Sequence, residues 1–207
     1  MIKLNQMIKP LSHNSSLHIP IIPNPKQIEY LSTQFDINII VYNALLDKVL
    51  QDYYQTGSCS YDIKEWPDYI RSIFRDAPIY SDLVKLNSQT TIGGTITELN
   101  EDLLTTTTLK DICRIKHKKF NTSMYQSIWL DTLTPLNEFK SDDFYIIIPI
   151  PGLGKTKTKD ILNFKSDKNI KVFGIQICAN FFKNIFYLIL HYYHDDPKLL
   201  ESLRIHK

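Results

Sequence analysis

"TTIGGTITEL", residues 90–99, is the stretch on which the fold of this chain turns. Read by residue type it is β-rich. Threonine and isoleucine are stiff at χ1 and suit a pleated backbone. Its two glycines, Gly93 and Gly94, then mark a bulge or a sharp bend within a strand. On that reading the chain is helical before residue 90 and strand-rich after it.

The downstream sequence continues the theme. "LLTTTTLKDI" (103–112) carries four consecutive threonines, which favour strand over helix. "SMYQSIWLDTL" (123–133) alternates, with Met124, Ile128 and Leu130 on one face and Tyr125, Ser127 and Trp129 on the other. A variable region, 132–168, follows. "IKVFGIQI" (170–177) and "NIFYLILHYY" (184–193) read as two more strands. "DPKLLESLRIHK" (196–207) reads as a helix, with Asp195 or Asp196 as N-cap. Five strands, an insertion at 132–168 between the third and fourth, and a C-terminal helix at 195–207 predict a mainly β protein. The predicted architecture is a five-stranded, Greek-key barrel of the OB-fold type.

Upstream, Pro10, Pro20, Pro23 and Pro25 make residues 1–26 an extended strap. "INIIVYNALL" (37–46) looks like a strand running into a helix, and "ALLDKVLQDYY" (44–54) has helical spacing. "GSCS" (57–60) breaks the chain. "WPDYIRSIF" (66–74) starts a second helix, with Pro67 in its first turn. The expected division is an N-terminal extension of strap, strand and helix at 1–64 and a barrel domain at 65–207.

The 207 residues suit one domain or one domain with an extension. With 43% hydrophobic and 22% charged residues the composition is that of a packed protein. A net charge of +2 excludes a polycationic tail, so nucleic-acid binding would need a local patch. Cys59, Cys113 and Cys178 are scattered, with no C-x-x-C pair, which points to a reducing compartment and away from a zinc knuckle. No segment approaches the ~20 apolar residues of a membrane span, and the N-terminal residues lack a signal-peptide core. The expectation is a soluble intracellular protein.

One motif invites a different function. "PIPGLGKT" (149–156) follows the apolar "FYIII" and precedes "KTKDILNF", a possible helix start. A phosphate-binding loop needs G-x-x-x-x-G-K-[ST], and here its first position is Pro149, which has no N–H to offer. A helix-hairpin-helix would need a helix where "FYIIIPI" reads as strand. The stretch is expected to be a surface loop, or a loop leading into a helix, that binds no nucleotide. No Ser-His-Asp order or Cys-His pairing stands out, and the adjacent carboxylates Asp142-Asp143 and Asp195-Asp196 suit turns and caps. His191 and His194 near Asp195 lack an evident third ligand. No enzyme, metal or cofactor is expected.

Two stretches taken together carry a family resemblance. "IFRDAPIYSDLVKLNSQTTIGGTITELNED" (73–102) resembles the opening of the OB domain of the Stn family, the middle subunit of the CST telomere-capping complex. "IKVFGIQICANFFKNIFYLILHYYHDDPKLL" (170–200) resembles that domain's end: a V-x-G strand, a short loop, a strand closing on Tyr-Tyr, and an acidic-Pro helix start. "TLKDICRIKHKKF" (108–120) and "YQSIWLDTL" (125–133) fall where the family has its second and third strands. The resemblance covers about residues 69–203. More distantly, the pattern is similar to the middle subunit of replication protein A, which gives the alternative of a general single-strand binding complex. It implies a nuclear protein of chromosome ends that binds single-stranded telomeric DNA. The implied partners are the small OB-fold subunit of the Ten family, the large CST subunit and DNA polymerase alpha–primase.

OB folds stack bases on aromatics and track the backbone with positive charge. Trp129, an aromatic on the polar face of a strand, is the first candidate, with Tyr125 on the same face; the alternative is that Trp129 packs under the 132–168 insertion. Phe181, Phe182 and Lys183 lie in the loop between the last two strands, a usual contact loop, where one phenylalanine could instead plug the barrel end. Arg114, Lys116, Lys118 and Lys119 of "RIKHKK", with Lys155, Lys157 and Lys159, form the main positive concentration. Leu199, Leu200 and Leu203 form an apolar stripe on the final helix, the expected interface with the smaller partner.

Overall fold

In the computed structural model the described residues are 14–57, 62–75, 89–105, 113–119, 125–130, 140–142, 145–148, 152–158 and 171–193. They form three helices, α1 (Pro25–Thr56), α2 (Trp66–Phe74) and α3 (Gln89–Thr105). The strands are β1 (Asn14–Ile22), β2 (Gln126–Leu130), β3 (Lys140–Asp142), β4 (Tyr145–Ile148), β5 (Gly154–Thr158), β6 (Lys171–Asn180) and β7 (Ile185–Tyr193). One antiparallel sheet takes all seven, in the order β2-β6-β7-β1-β5-β4-β3. Its terminal strands, β2 and β3, do not pair with each other, so this is an open sheet with helices and not a closed five-stranded barrel.

The decisive stretch is helical. Residues 90–99 lie inside α3, and so do Leu103, Leu104 and Thr105 of the threonine run. Thr91, Gly94, Thr95, Leu99 and Leu103 are buried, a spacing of three to four that defines one helix face. Thr95 Oγ1 donates to the Thr91 carbonyl (2.7 Å) and Thr97 Oγ1 to that of Gly93 (3.1 Å), so the hydroxyls turn back onto the helix. The buried face also meets partners on α1: Thr91 Oγ1 donates to Gln34 Oε1 (2.6 Å), and Asn38 Nδ2 donates to Thr95 Oγ1 (2.8 Å). Tertiary hydrogen bonds and burial thus override β propensity, which is a weak prior. The expected second strand is absent where described: Cys113 and Arg114 form a turn, and residues 115–119 have no regular structure.

Helix α1 is continuous through "INIIVYNALL", where a strand entry was expected. Buried positions 37, 38, 41, 42, 45, 46 and 49 recur at helical spacing, which outweighs the β-branched composition. Its start is capped by Asn24: the Gln27 N–H donates to Asn24 Oδ1 (3.0 Å), and the Asn24 N–H donates to Gln27 Oε1 (2.8 Å). It ends at Gly57, as the break at "GSCS" predicts, and α2 begins at Trp66 as expected.

At 32 residues α1 is about 48 Å long, and it serves two cores. Its first turns place Leu31 and Phe35 on the inner sheet face with Leu17, Ile19, Ile128, Ile146, Ile175, Ile177, Leu188 and Leu190. Its later turns pack Val41, Leu45 and Val49 against Trp66, Ile70, Leu99 and Leu103. Both cores draw on residues from either side of position 64.

Residues 14–22 of the expected strap are extended but internal to the sheet, between β7 and β5. Pro20 is tolerated there because β5 pairs only with Ile21 and Ile22, leaving the flank beside Pro20 without a described strand partner. The 132–168 insertion supplies β3, β4 and β5, which extend the sheet. The stretch expected to form the final helix, with Leu199, Leu200 and Leu203, lies outside the described residues, as do Cys59, Lys159, Asp143, His194 and Asp195-Asp196.

Candidate nucleic-acid interface

Of the stretch with P-loop character, residues 152–153 form a turn and 154–156 open a strand. Gly154, Lys155 and Thr156 begin strand β5, where a P-loop would begin a helix. Thr156 is buried; its hydroxyl donates to the Leu153 carbonyl (3.1 Å) and accepts from Gln27 Nε2 (3.0 Å). Gly152 adopts φ +86°, and the Tyr30 ring lies where its side chain would be, 2.4 Å from an ideal Cβ. The glycines therefore serve the β4–β5 turn and its contact with α1, and the loop-into-helix form of the expectation gives way to a hairpin.

The β4–β5 hairpin sends lysines outward. Thr156 and Thr158 point to the core, while Lys155 and Lys157 are exposed on the opposite face. The alternation in "GKTKT" is the period-two signal of a strand, legible in the sequence once the segment is taken as one. Lys155 Nζ sits 4.6 Å from the centre of the Tyr145 ring, and register pairs Tyr145 with Lys157. Ile147 and Ile22 on the same face are also partly exposed.

The same outer face runs across the whole sheet. Register places Ser127, Cys178, Tyr187 and Pro20 in one row and Trp129, Gln176, Ile189 and His18 in the next. Gly174, His191 and Ser16 form a third. With Tyr145, Ile147, Lys155 and Lys157, the described side chains of this face include four aromatic or imidazole rings beside Trp129 and two lysines, and register sets Lys140 and Asp142 of β3 opposite Ile147 and Tyr145.

Trp129 lies on this face, as its alternation predicts. It reaches across β6 to stack on His191, with centroids 4.5 Å apart and planes at 28°. Gly174 is what it crosses: an ideal Cβ there would lie 2.7 Å from Trp129 Cζ3. Trp129 thus packs on Gly174 and His191 rather than under β3–β5, which are at the far side of the sheet. Burial and the nearby His18 hold the His191 imidazole below its usual pKa of 6.5, so it is neutral at pH 7. His191 Nε2 is 3.4 Å from Gln176 Oε1, and His18 Nε2 is 3.2 Å from Ser16 Oγ.

The β6–β7 turn, residues 181–184, separates the two expected phenylalanines. Phe181 enters the inner core, edge-on to Phe35 (5.3 Å) and Phe186 (5.5 Å). Phe182 is 77% exposed, and Lys183 beside it is exposed too. Tyr125 is exposed at the same end of the sheet, since Gln126 pairs with Ala179.

The basic run splits in the same way. Ile115 packs into the second core. Lys118 faces inward: its ammonium pairs with Glu98 (2.6 Å), donates to Asn38 Oδ1 (3.0 Å) and lies 4.6 Å from the Tyr42 ring centre. Asn43 clamps the backbone there, accepting from the Lys118 N–H (2.7 Å) and donating to its carbonyl (3.0 Å). Lys118, expected to track phosphate, is thereby committed to holding the segment on α1 and α3. Burial, followed by the hydrogen bond to Asp102, pushes the neighbouring Tyr42 hydroxyl far above its ordinary range. Arg114, Lys116 and Lys119 remain exposed, and His117 meets Asp47 at 2.7 Å. Among the described residues no three His, Cys, Asp or Glu side chains converge as metal ligands, and no helix is long and apolar enough to cross a membrane.

No family model and no curated protein matches the chain. Among solved structures it is similar to a chain of the cryo-EM structure of the Cas12f1–sgRNA–target DNA complex, at 14% identity and a TM-score of 0.39. The match covers 90% of this chain, which spans about half the length of that one (50%).

Proposed function

We propose that this protein is a non-catalytic module that binds single-stranded nucleic acid across the outer face of its sheet. The supporting observation is the make-up of that face: aromatic and imidazole side chains together with Lys155 and Lys157. Flat rings offer bases a stacking surface, and lysines contact the phosphates between them. Phe182, Lys183 and Tyr125 at the turn end extend the surface, and Lys116 and Lys119 add charge beyond β2. The telomeric part of the resemblance stays outside this proposal, because the stretch that should open the family's barrel is α3.

The test is anisotropy of a labelled single strand over a salt series. Each phosphate contact contributes about −0.7 to the slope of log K against log salt. Replacing both Lys155 and Lys157 by Ala is expected to reduce the slope by about 1.4. Failure of any single strand to bind at low salt, or a slope unmoved by the double substitution, would refute the proposal.

A further inference from the structure

A pocket of ≈ 180 Å³ lies at the end of the sheet nearest the β6–β7 turn, lined by Pro20, Ile22, Ile185 and Tyr187 with Pro23 and Asn184 beside them. The first four point to the outer face by period two, because Ile19, Ile21, Phe186 and Leu188 are buried in the inner core. The pocket opens where β1 and β7 stop pairing, at Ile21 and Phe186. Ile22 is 41% exposed and Asn184 is exposed, so solvent reaches it.

Size and lining select what can enter. A cavity of about 150 Å³ holds a benzene ring, so this one accommodates one six-membered ring and leaves the second ring of a purine outside. The tyrosine ring, the proline ring and two isoleucines offer a flat base apolar contact. Asn184 adds a polar group. It sits at φ +52°, in the left-handed region that asparagine tolerates. Its N–H donates to the Phe181 carbonyl (3.2 Å), and the Lys183 N–H donates to Asn180 Oδ1 (2.9 Å), so the turn holds it in place. An amide side chain both donates and accepts, which suits the polar edge of thymine or cytosine.

Charge completes the match. Lys157 pairs in register with Ile22, Lys183 precedes Asn184, and both are exposed. One lysine therefore lies on the β5 side of the pocket and the other at its turn end. A base carrying a phosphate to either side fits an apolar slot between two cations; a purely apolar ligand would leave both lysines unused.

We infer that this pocket seats one pyrimidine base of a bound single strand, with Lys157 and Lys183 on the phosphates that flank it. Thymine outranks cytosine, because its methyl group gains apolar contact. This rests on the function proposed above for the strand and adds a base preference to it.

The probes are TMP, CMP, AMP, GMP and ribose 5-phosphate, followed on the full chain by amide chemical-shift titration. The expected order is TMP, then CMP, then the purines, with ribose 5-phosphate last and shifts at residues 22 and 184–187. Tyr187→Ala removes one wall and should weaken TMP about tenfold, as a lost base stack does. Asn184→Gly suits the left-handed backbone, keeps the fold and should weaken TMP about fivefold through the lost hydrogen bond. Unchanged denaturation midpoints verify folding, and Asn184→Gly decides the matter if Tyr187→Ala does not fold. Purines bound as tightly as pyrimidines, or ribose 5-phosphate bound as tightly as TMP, would overturn the inference. So would N-acetyltyrosinamide bound at the same residues in preference to TMP, which would make this a pocket for a protein side chain. Single-strand binding that neither variant changes in strength or base preference would also overturn it, although the sheet-face function would then survive. TMP binding in the expected order without any single-strand binding would instead uphold the pyrimidine pocket and refute the sheet-face function.

Discussion

Lys118→Ala separates structural from binding charge in the basic run. The lysine makes a 2.6 Å ion pair with Glu98, a 3.0 Å hydrogen bond to Asn38 and a ring contact with Tyr42. Both charged side chains are mostly covered, at 23% and 19% relative exposure, so solvent screens the pair only in part. A charge-assisted hydrogen bond contributes ~1.5–3 kcal/mol and a ring contact ~0.5–2 kcal/mol. Truncation also strands Glu98, although Asn38 and partial solvent access offset that penalty. The combined loss is about 2–4 kcal/mol, below the range for a fully buried pair. With a urea m-value of ~2 kcal/mol/M the midpoint should fall by about 1–2 M at unchanged m. Lys116→Ala, fully on the surface, should stay within ~0.5 kcal/mol. A double-mutant cycle with Glu98→Gln should return a coupling above ~0.5 kcal/mol. If Lys118→Ala leaves the midpoint in place and instead flattens the salt slope for single strands, Lys118 is a phosphate contact and the network assigned to it is wrong.

Gly174→Val should evict Trp129 from its stack, since a rigid ring already stands 2.7 Å from the new Cβ; the expected cost is about 1–3 kcal/mol with an altered Trp129 emission, and an unchanged spectrum would refute the packing. Gly93→Ala should stabilise the protein by about 0.5–1 kcal/mol if residues 89–105 are helical; a loss of stability in chemical denaturation would return the stretch to a strand. His191 is held below its ordinary pKa of 6.5 by burial and by His18. The unfolded chain therefore takes up that proton first, so this contribution is intact above pH 6.5 and lost as pH falls through the folded value. Denaturation midpoints should drop on acidification below pH 6.5, and less steeply in His191→Gln; equal slopes would remove His191 as the cause.

Local pattern determined much of this molecule. The alternation of "QSIWL" and the apolar runs of β6 and β7 fix strands whose inner and outer residues follow directly from period two. The spacing of Leu45, Leu46 and Val49 and the position of Pro67 are likewise properties of the helices themselves. The exposure of Phe182 beside a plugging Phe181 follows from a short turn between two such strands. The tertiary structure decided what depends on partners far along the chain. "TTIGGTITEL" is helical because Thr91 and Thr95 find Gln34 and Asn38 on α1. Lys118 is structural because Glu98 and Tyr42 stand opposite it, and Arg114, Lys116 and Lys119 are not distinguished from it by composition. Lys155 and Lys157 join the outer face only when β1 and the insertion share a sheet, a pairing across more than a hundred residues. Propensity differences of a few tenths of a kcal/mol per residue set the local preferences, and buried hydrogen bonds and packed side chains worth more than that overrule them.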